Sequence, residues 1–244
     1  MPQAARGDVM TDYLNLALFG VYPYIALSVF FIGSVIRFDR DQYTWRSGSS
    51  QLLRRRLLFV GSNCFHIGVL AIFGGHLVGL LTPHEVYTAM GLSVEAKQLM
   101  AMIIGGLFGG LCFIGMTLLI YRRLVDPRIR ATSSAMDIAI LLILYAQLTL
   151  GLSSIFVSAQ HLDGSEMLLL ADWAQHIVTL RGGAADLLAA VHPIFKLHIV
   201  LGMTIFLLFP FSRLVHIWSA PVGYIGRSYQ IVRRRGGASA ARGR

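Results

Sequence analysis

The chain has 244 residues, 55% of them hydrophobic and 14% charged, with a mean hydropathy of +0.65. Soluble domains carry about 25% charged residues, so a water-soluble globular class is excluded. The net charge of +9 would suit nucleic acid. Its placement argues otherwise, because the basic residues fall in the connections between long apolar runs.

A run of about 18 or more apolar residues crosses a bilayer core as a helix. Five such runs follow one another along the chain. The first covers residues 14–36; only Arg6 precedes it and no Ala-x-Ala site closes it, so it reads as a span rather than a cleaved signal. The second, 57–81, carries His66 and His76, and the third, 99–121, carries a stack of glycines. After the fourth, 136–157, comes the longest connection, Ser158 to His192, too short for a separate domain. The fifth, 193–217, carries His198 and His216. Cys64 and Cys112 both fall inside spans, so no disulfide framework is implied. Neither belongs to a Cys-x-x-Cys-His motif, which rules out covalent c-type haem attachment. The expectation is an all-α integral membrane protein, a five-helix transmembrane bundle. Residues 1–233 form one domain, and 234–244 a disordered Gly/Ala/Arg-rich cytoplasmic tail.

Charge sets the orientation. If five helices alternate in direction, every basic residue except Arg6, Lys97, Arg181 and Lys196 falls on one side. Asp8, Asp12, Glu85, Glu95, Asp163, Glu166, Asp172 and Asp186 fall on the other. The positive-inside rule places the basic side in the cytoplasm. That gives a multi-pass membrane protein with its N-terminus outside and its C-terminus in the cytoplasm. Trp45, Trp173 and Trp218 fall near the expected interfaces, where aromatic belts sit.

Of the eight histidines, His84, His161, His176 and His192 fall in or beside the outer connections. His66, His76, His198 and, near a helix end, His216 fall inside spans, where an unsatisfied polar ring costs free energy and marks function by default. Haem iron takes two axial ligands, and neutral imidazole is a common one. The second and fifth spans run antiparallel, so His66 is level with His216 and His76 with His198. Two haems stacked between helices 2 and 5 follow from that pairing. The fit is imperfect: His66 and His76 are about 15 Å apart along a straight helix, His198 and His216 about 27 Å. A kink at Pro210 is one way to absorb the difference. Without it His216 is an interfacial histidine and one haem remains, between His76 and His198. Proton relay and metal transport stay open on the same residues.

Gly75 and Gly79 bracket His76, Gly105, Gly106, Gly109 and Gly110 stack on the third span, and Gly202 follows His198. Residues without side chains admit a porphyrin face or a close helix neighbour. For the third span, ordinary small-residue packing explains them equally well.

These residues carry a close resemblance. From Tyr22-Pro-Tyr-Ile to Tyr229-Gln-Ile-Val-Arg the chain resembles the gamma, or cytochrome b, subunit of membrane-bound respiratory nitrate reductase. The most specific stretches are Asp41-Gln-Tyr-Thr-Trp-Arg, Phe65-His-Ile-Gly, Gly75-His, Leu81-Thr-Pro-His, the ten residues from Ser158 to Met167, and the run from Leu197 to Trp218. The departures are a longer N-terminus before Tyr22 and the Arg-rich tail. The resemblance implies two non-covalent b-type haems with bis-His ligation. His66 and His216 would hold the haem nearer the cytoplasm, His76 and His198 the distal one.

It also implies quinol oxidation beside the distal haem. The partners would be an iron–sulfur (beta) subunit and a molybdenum-containing catalytic (alpha) subunit, and nitrate chemistry would reside on the latter. On that footing, Gly75, His76 and Lys97 line a quinol pocket near the outer face, with the Lys97 ammonium hydrogen-bonding a quinol oxygen. Beside it stands the reading of Lys97 as an interfacial lysine that snorkels to water. Glu85 and Glu95 are candidate proton acceptors or plain solvated acids, and Arg213 is a candidate partner for a haem propionate. The alternatives are a dihaem anchor of another quinone-linked oxidoreductase and a haem-free transporter.

Overall fold

The computed structural model describes residues 10–41, 43, 45 and 55–219. Arg46, Arg54, the arginines beyond Ser219, the N-terminus with Arg6 and Asp8, and the 234–244 tail lie outside them. All regular structure among the described residues is helical, and five helices are long and apolar enough to cross a membrane. They are α1 (Met10–Arg40), α2 (Arg55–Leu81), α4 (Val94–Val125), α6 (Ala135–Ser158) and the span Pro193–Phe211, whose α-helical part is α9 (Pro193–Leu208). Between them lie the short helices α3 (His84–Ala89), α5 (Pro127–Ala131), α7 (Ser165–Val178) and α8 (Ala184–Leu187). The five apolar runs of the sequence therefore become the five long helices. They alternate between a basic end, where α4 finishes in Arg122 and Arg123, and an opposite end.

The long helices pack in the order α2, α4, α6, α9, α1, while α2 and α9 make no extensive contact. Small residues make the tightest seam. A methyl group on Gly115 of α4 would overlap the Phe65 backbone nitrogen and lie 2.8 Å from Gly61 O. One on Gly68 of α2 would lie 2.6 Å from Cys112 Cβ. Backbones touch along this line, as lipid-embedded helices require when dispersion rather than water drives association. Gly109 of α4 does the same against α6, where Leu152 Cδ2 lies 2.7 Å from a hypothetical Cβ.

Where a proline removes a helix N–H, another group takes its place. Pro23 has none for the carbonyl four residues earlier. There α1 widens into a π segment over Leu16–Val21, and the Trp173 indole donates to Phe19 O at 2.9 Å. Trp173 is buried. It is thus no member of an aromatic belt, as its position in sequence suggested, but the centre of a cluster with Phe19, Ile177, Leu188 and Phe195. The connection from Ser158 to His192 folds into α7 and α8 and caps the end of the bundle opposite the basic residues. The Gln175 amide donates to Leu80 O at 3.1 Å, tying α7 to the end of α2. Gln98 of α4 donates to Ser158 O and His161 O, closing the exposed carbonyls of α6.

The fifth span departs from the expected 193–217. Its α-helix stops at Leu208, because Pro210 lacks the N–H that Phe206 O needs, and Phe209 N bonds that carbonyl instead. Tight 3₁₀ turns follow over Phe209–Phe211 and Arg213–Ser219, divided by Ser212 in extended conformation (φ −114°, ψ 176°). The Ser212 hydroxyl donates to Phe209 O and accepts from Leu214 N, so one side chain closes the first turn and starts the second.

The seam has a direct test. Gly115→Ala should cost about 1–3 kcal/mol of stability through overpacking, read as earlier thermal unfolding of the protein in detergent. Gly182→Ala, with nothing within 4 Å of the new methyl, should unfold at the wild-type temperature.

Candidate functional site

His66 and His76 lie on exposed faces of α2, inside an apolar span. Each Nδ1 meets the carbonyl four residues earlier, Ser62 O at 2.7 Å and Ile72 O at 2.8 Å. A carbonyl only accepts, so Nδ1 carries the proton and Nε2 keeps its lone pair. This is how a metal-binding imidazole is oriented and its tautomer fixed. His216 repeats the pattern in its 3₁₀ segment, with Nδ1 2.6 Å from Arg213 O.

His198 differs. The Gln147 amide nitrogen of α6 donates to its backbone carbonyl at 3.0 Å and sits 3.2 Å from its Nε2, while its buried Nδ1 has no partner. The ring lies against Gly151, where a methyl group would come within 3.0 Å of Cε1.

His76 and His198 come together. Their ring centroids are 6.2 Å apart and their planes 33° from parallel. Imidazole nitrogens bind transition metals at about 2 Å, which separates the centroids of two opposed rings by about 6 Å. The residues therefore fit a metal held between them, and the orphaned Nδ1 of His198 agrees. Among the described residues no group of three or more His, Cys, Asp or Glu gathers; a single pair suits porphyrin iron, whose other four ligands belong to the macrocycle. The rings of His66 and His216 are not in contact, although the chain brings both to the basic half of the bundle. The straight fifth helix behind the expected axial mismatch is absent, because two 3₁₀ turns and an extended Ser212 stand between Leu208 and His216. The α-helical rise beyond His198 ends at Leu208, ten residues on and about 15 Å along the axis.

The glycines sort into two sets. Methyl groups on Gly74, Gly75, Gly79, Gly105 and Gly110 would meet nothing within 4 Å, whereas Gly109 packs on α6. Gly202, expected to make room beside His198, faces the Gln147 amide at 3.2 Å.

Lys97 is buried at 7% exposure, so it does not snorkel to water. Its ammonium donates to Gly79 O at 2.9 Å, one helical turn beyond His76, and sits 3.9 Å from the centre of the Tyr87 ring. Tyr87, on α3, is buried with its hydroxyl unpartnered. Burial first, then the charges of Asp172 and Glu85, hold its phenol proton above the usual range, so Tyr87 is a neutral ring at ordinary pH. Glu85 and Glu95 are exposed, and Glu85 pairs with His84 at 3.3 Å. At the basic end Arg213 approaches Asp137 at 3.9 Å, as does Arg123.

Sequence reasoning missed Gln147, Gly151 and Tyr87. A glutamine in mid-span was a signal available for the first; no local pattern marked the other two.

The fold and the histidine pair define an all-α, five-span membrane protein with two imidazoles paired between its second and fifth spans. Comparison with known proteins makes the class specific. The family profile described as nitrate reductase gamma subunit matches residues 15–235. The respiratory nitrate reductase 2 gamma chain of Escherichia coli K12 is 58% identical over 226 residues, covering 93% of this chain and all of the relative. The respiratory nitrate reductase 1 gamma chain of the same organism is 57% identical over 224 residues, 92% of this chain and 99% of the relative. The nitrate reductase gamma chain of Bacillus subtilis is 39% identical over 218 residues, 89% and 97% of the two chains. The chain belongs to the nitrate reductase gamma subunit family. It is accordingly the gamma chain of a respiratory oxidoreductase complex and works with other subunits of it.

The seat of Lys97 is testable without any cofactor. Tyr87→Leu should speed acylation of Lys97 by an amine reagent several-fold, read by mass spectrometry of its peptide. Lys196, whose ammonium is held elsewhere by Ala189 O, should react at an unchanged rate.

Proposed function

We propose that the protein oxidises quinol near the end of the bundle opposite the basic residues and delivers the electrons to an iron–sulfur subunit at the basic end. That subunit would pass them to a molybdenum-containing subunit that reduces nitrate. The observation that carries this reading is the pair of His76 and His198 rings 6.2 Å apart inside apolar spans. Two b-type haems, one held by His76 with His198 and one by His66 with His216, would supply one-electron carriers in series. The asymmetry of charge supports a cytoplasmic basic end and a periplasmic N-terminus in the inner membrane.

The chain's own residues have distinct tasks. The carbonyl bonds to Nδ1 of His66, His76 and His216 hold each ring in the tautomer that offers Nε2. Gln147 fixes the backbone and ring of His198 from α6. Gly75 leaves the flank of His76 clear of side chains. Lys97 retains N–H donors beyond the one given to Gly79 O. A quinol oxygen beside His76 would accept one of them, and the positive charge would favour loss of the quinol proton. Protons released at this end and electrons withdrawn to the other separate charge across the membrane. That separation is worth about 2.3 kcal/mol per charge per 100 mV. Arg213 and Arg123, gathered around Asp137, supply cationic groups near the His216 segment for an acidic substituent of the proximal haem.

The first test is a pyridine haemochrome assay of the wild-type complex and of His216→Ala. Two b haems per gamma chain should fall to one. A single haem in both would remove His216 from the ligand set, and none in either well-folded protein would overturn the cytochrome reading. Lys97→Gln should keep both haems while raising the quinol KM about tenfold or more, the loss expected for a hydrogen bond to a charged group. Gly151→Ala, which crowds the His198 ring, should alter the low-spin EPR signal of one haem and leave the other as in wild type.

A further inference from the structure

We infer that Arg37, on the neighbouring helix α1, is a positioning residue for His216, and that it sets the geometry of one haem without touching it. The inference rests on the reading of His216 as an axial ligand.

His216 is not carried by its own helix. The α9 ladder ends at Leu208, and the chain turns twice before reaching it. Such a break leaves backbone carbonyls without helix partners. Arg37 supplies the missing donors. One guanidinium nitrogen reaches both Pro210 O and, at 2.9 Å, Ser212 O, bridging the two sides of the turn. A planar guanidinium suits this task because its donors are held in a fixed fork, whereas an ammonium is a single point.

The rest of the α1 terminus closes on the same segment. A methyl on Gly33 would lie 2.9 Å from Pro210 Cγ, so the proline ring is seated directly on the α1 backbone. Phe30 makes edge contacts with Phe206 and Phe209, and Ser34 accepts from the Trp218 indole at 3.4 Å. Leu214 and Val215, the two residues before His216, are buried in the same cluster. The segment that carries His216 is therefore held from α1 at Pro210 and Ser212, and within that segment Arg213 O accepts from the His216 ring. The His76–His198 pair stands on α2 and on α9 ahead of its break, where the rings meet Ile72 O, Gln147 and each other.

The experiment compares the wild-type complex with Arg37→Gln and Arg37→Lys in membranes, reading haem content, low-spin EPR and redox titration alongside His216→Ala. Arg37→Gln should broaden and shift the EPR signal and move the midpoint potential of the haem that His216→Ala abolishes. Arg37→Lys should restore them in part, and the other haem should keep its wild-type signal and potential throughout. Wild-type signals from both haems in Arg37→Gln would overturn the inference. So would equal damage to both haems at normal protein level, which is the mark of general destabilisation. If Arg37→Gln does not accumulate, Gly33→Ala tests the same clamp by pushing on Pro210, with the same selective shift expected. If His216→Ala abolishes no haem, the ligand reading fails rather than the clamp.

Discussion

A bilayer interior offers no hydrogen bonds, and most of the structure answers that one constraint. Helices satisfy their own backbones, so the informative residues are those that interrupt a helix or bring a polar group into it. Pro23 frees Phe19 O, and Trp173 bonds it. Pro210 ends α9, and Phe209, Ser212 and Arg37 share the released carbonyls. The ends of α2 and α6 are closed by Gln175 and Gln98. Once these groups are paired, the polar atoms left over inside the spans are few. The Nε2 lone pairs of His66, His76 and His216 and the Nδ1 of His198 stand out among them. The site is built from polar atoms that the helices leave without partners, the Gln147 amide oxygen beside His198 among them.

Much of this was legible in the sequence. Span number followed from apolar length, because the thickness of a hydrocarbon slab translates directly into residues per helix. The histidines stood out because a polar ring in such a run needs a reason. The pairing of His76 with His198 followed from antiparallel alternation alone, and the ring contact agrees with it.

What stayed hidden depended on distant partners. Trp173 looked interfacial because its nearest neighbours in sequence are mixed; its hydrogen bond is to a residue 154 positions away. Lys97 looked like a snorkelling lysine, since nothing local shows that the Tyr87 ring and Gly79 O enclose it. The glycines of α4 looked like one stack, yet Gly109 and Gly115 pack on opposite neighbours while Gly105 and Gly110 pack on none. Pro210 was visible, but whether a proline bends a helix or ends it depends on what can take over its carbonyls, and that was settled by Arg37 on another helix.

The packing order of the helices bears on how the molecule is made. The α2–α4 seam joins consecutive spans, so it can close as soon as the fourth helix of the chain has entered the bilayer. The pair of His76 and His198 joins an early span to the last one, across a gap that α2 and α9 do not fill with contacts of their own. A group that bridges those rings has no complete seat until synthesis is over. Its arrival would then be a late clasp between the second span and the last one. By mass action it would hold the finished bundle closed the more firmly the tighter it bound, and the supply of such a group would then govern how long the subunit survives.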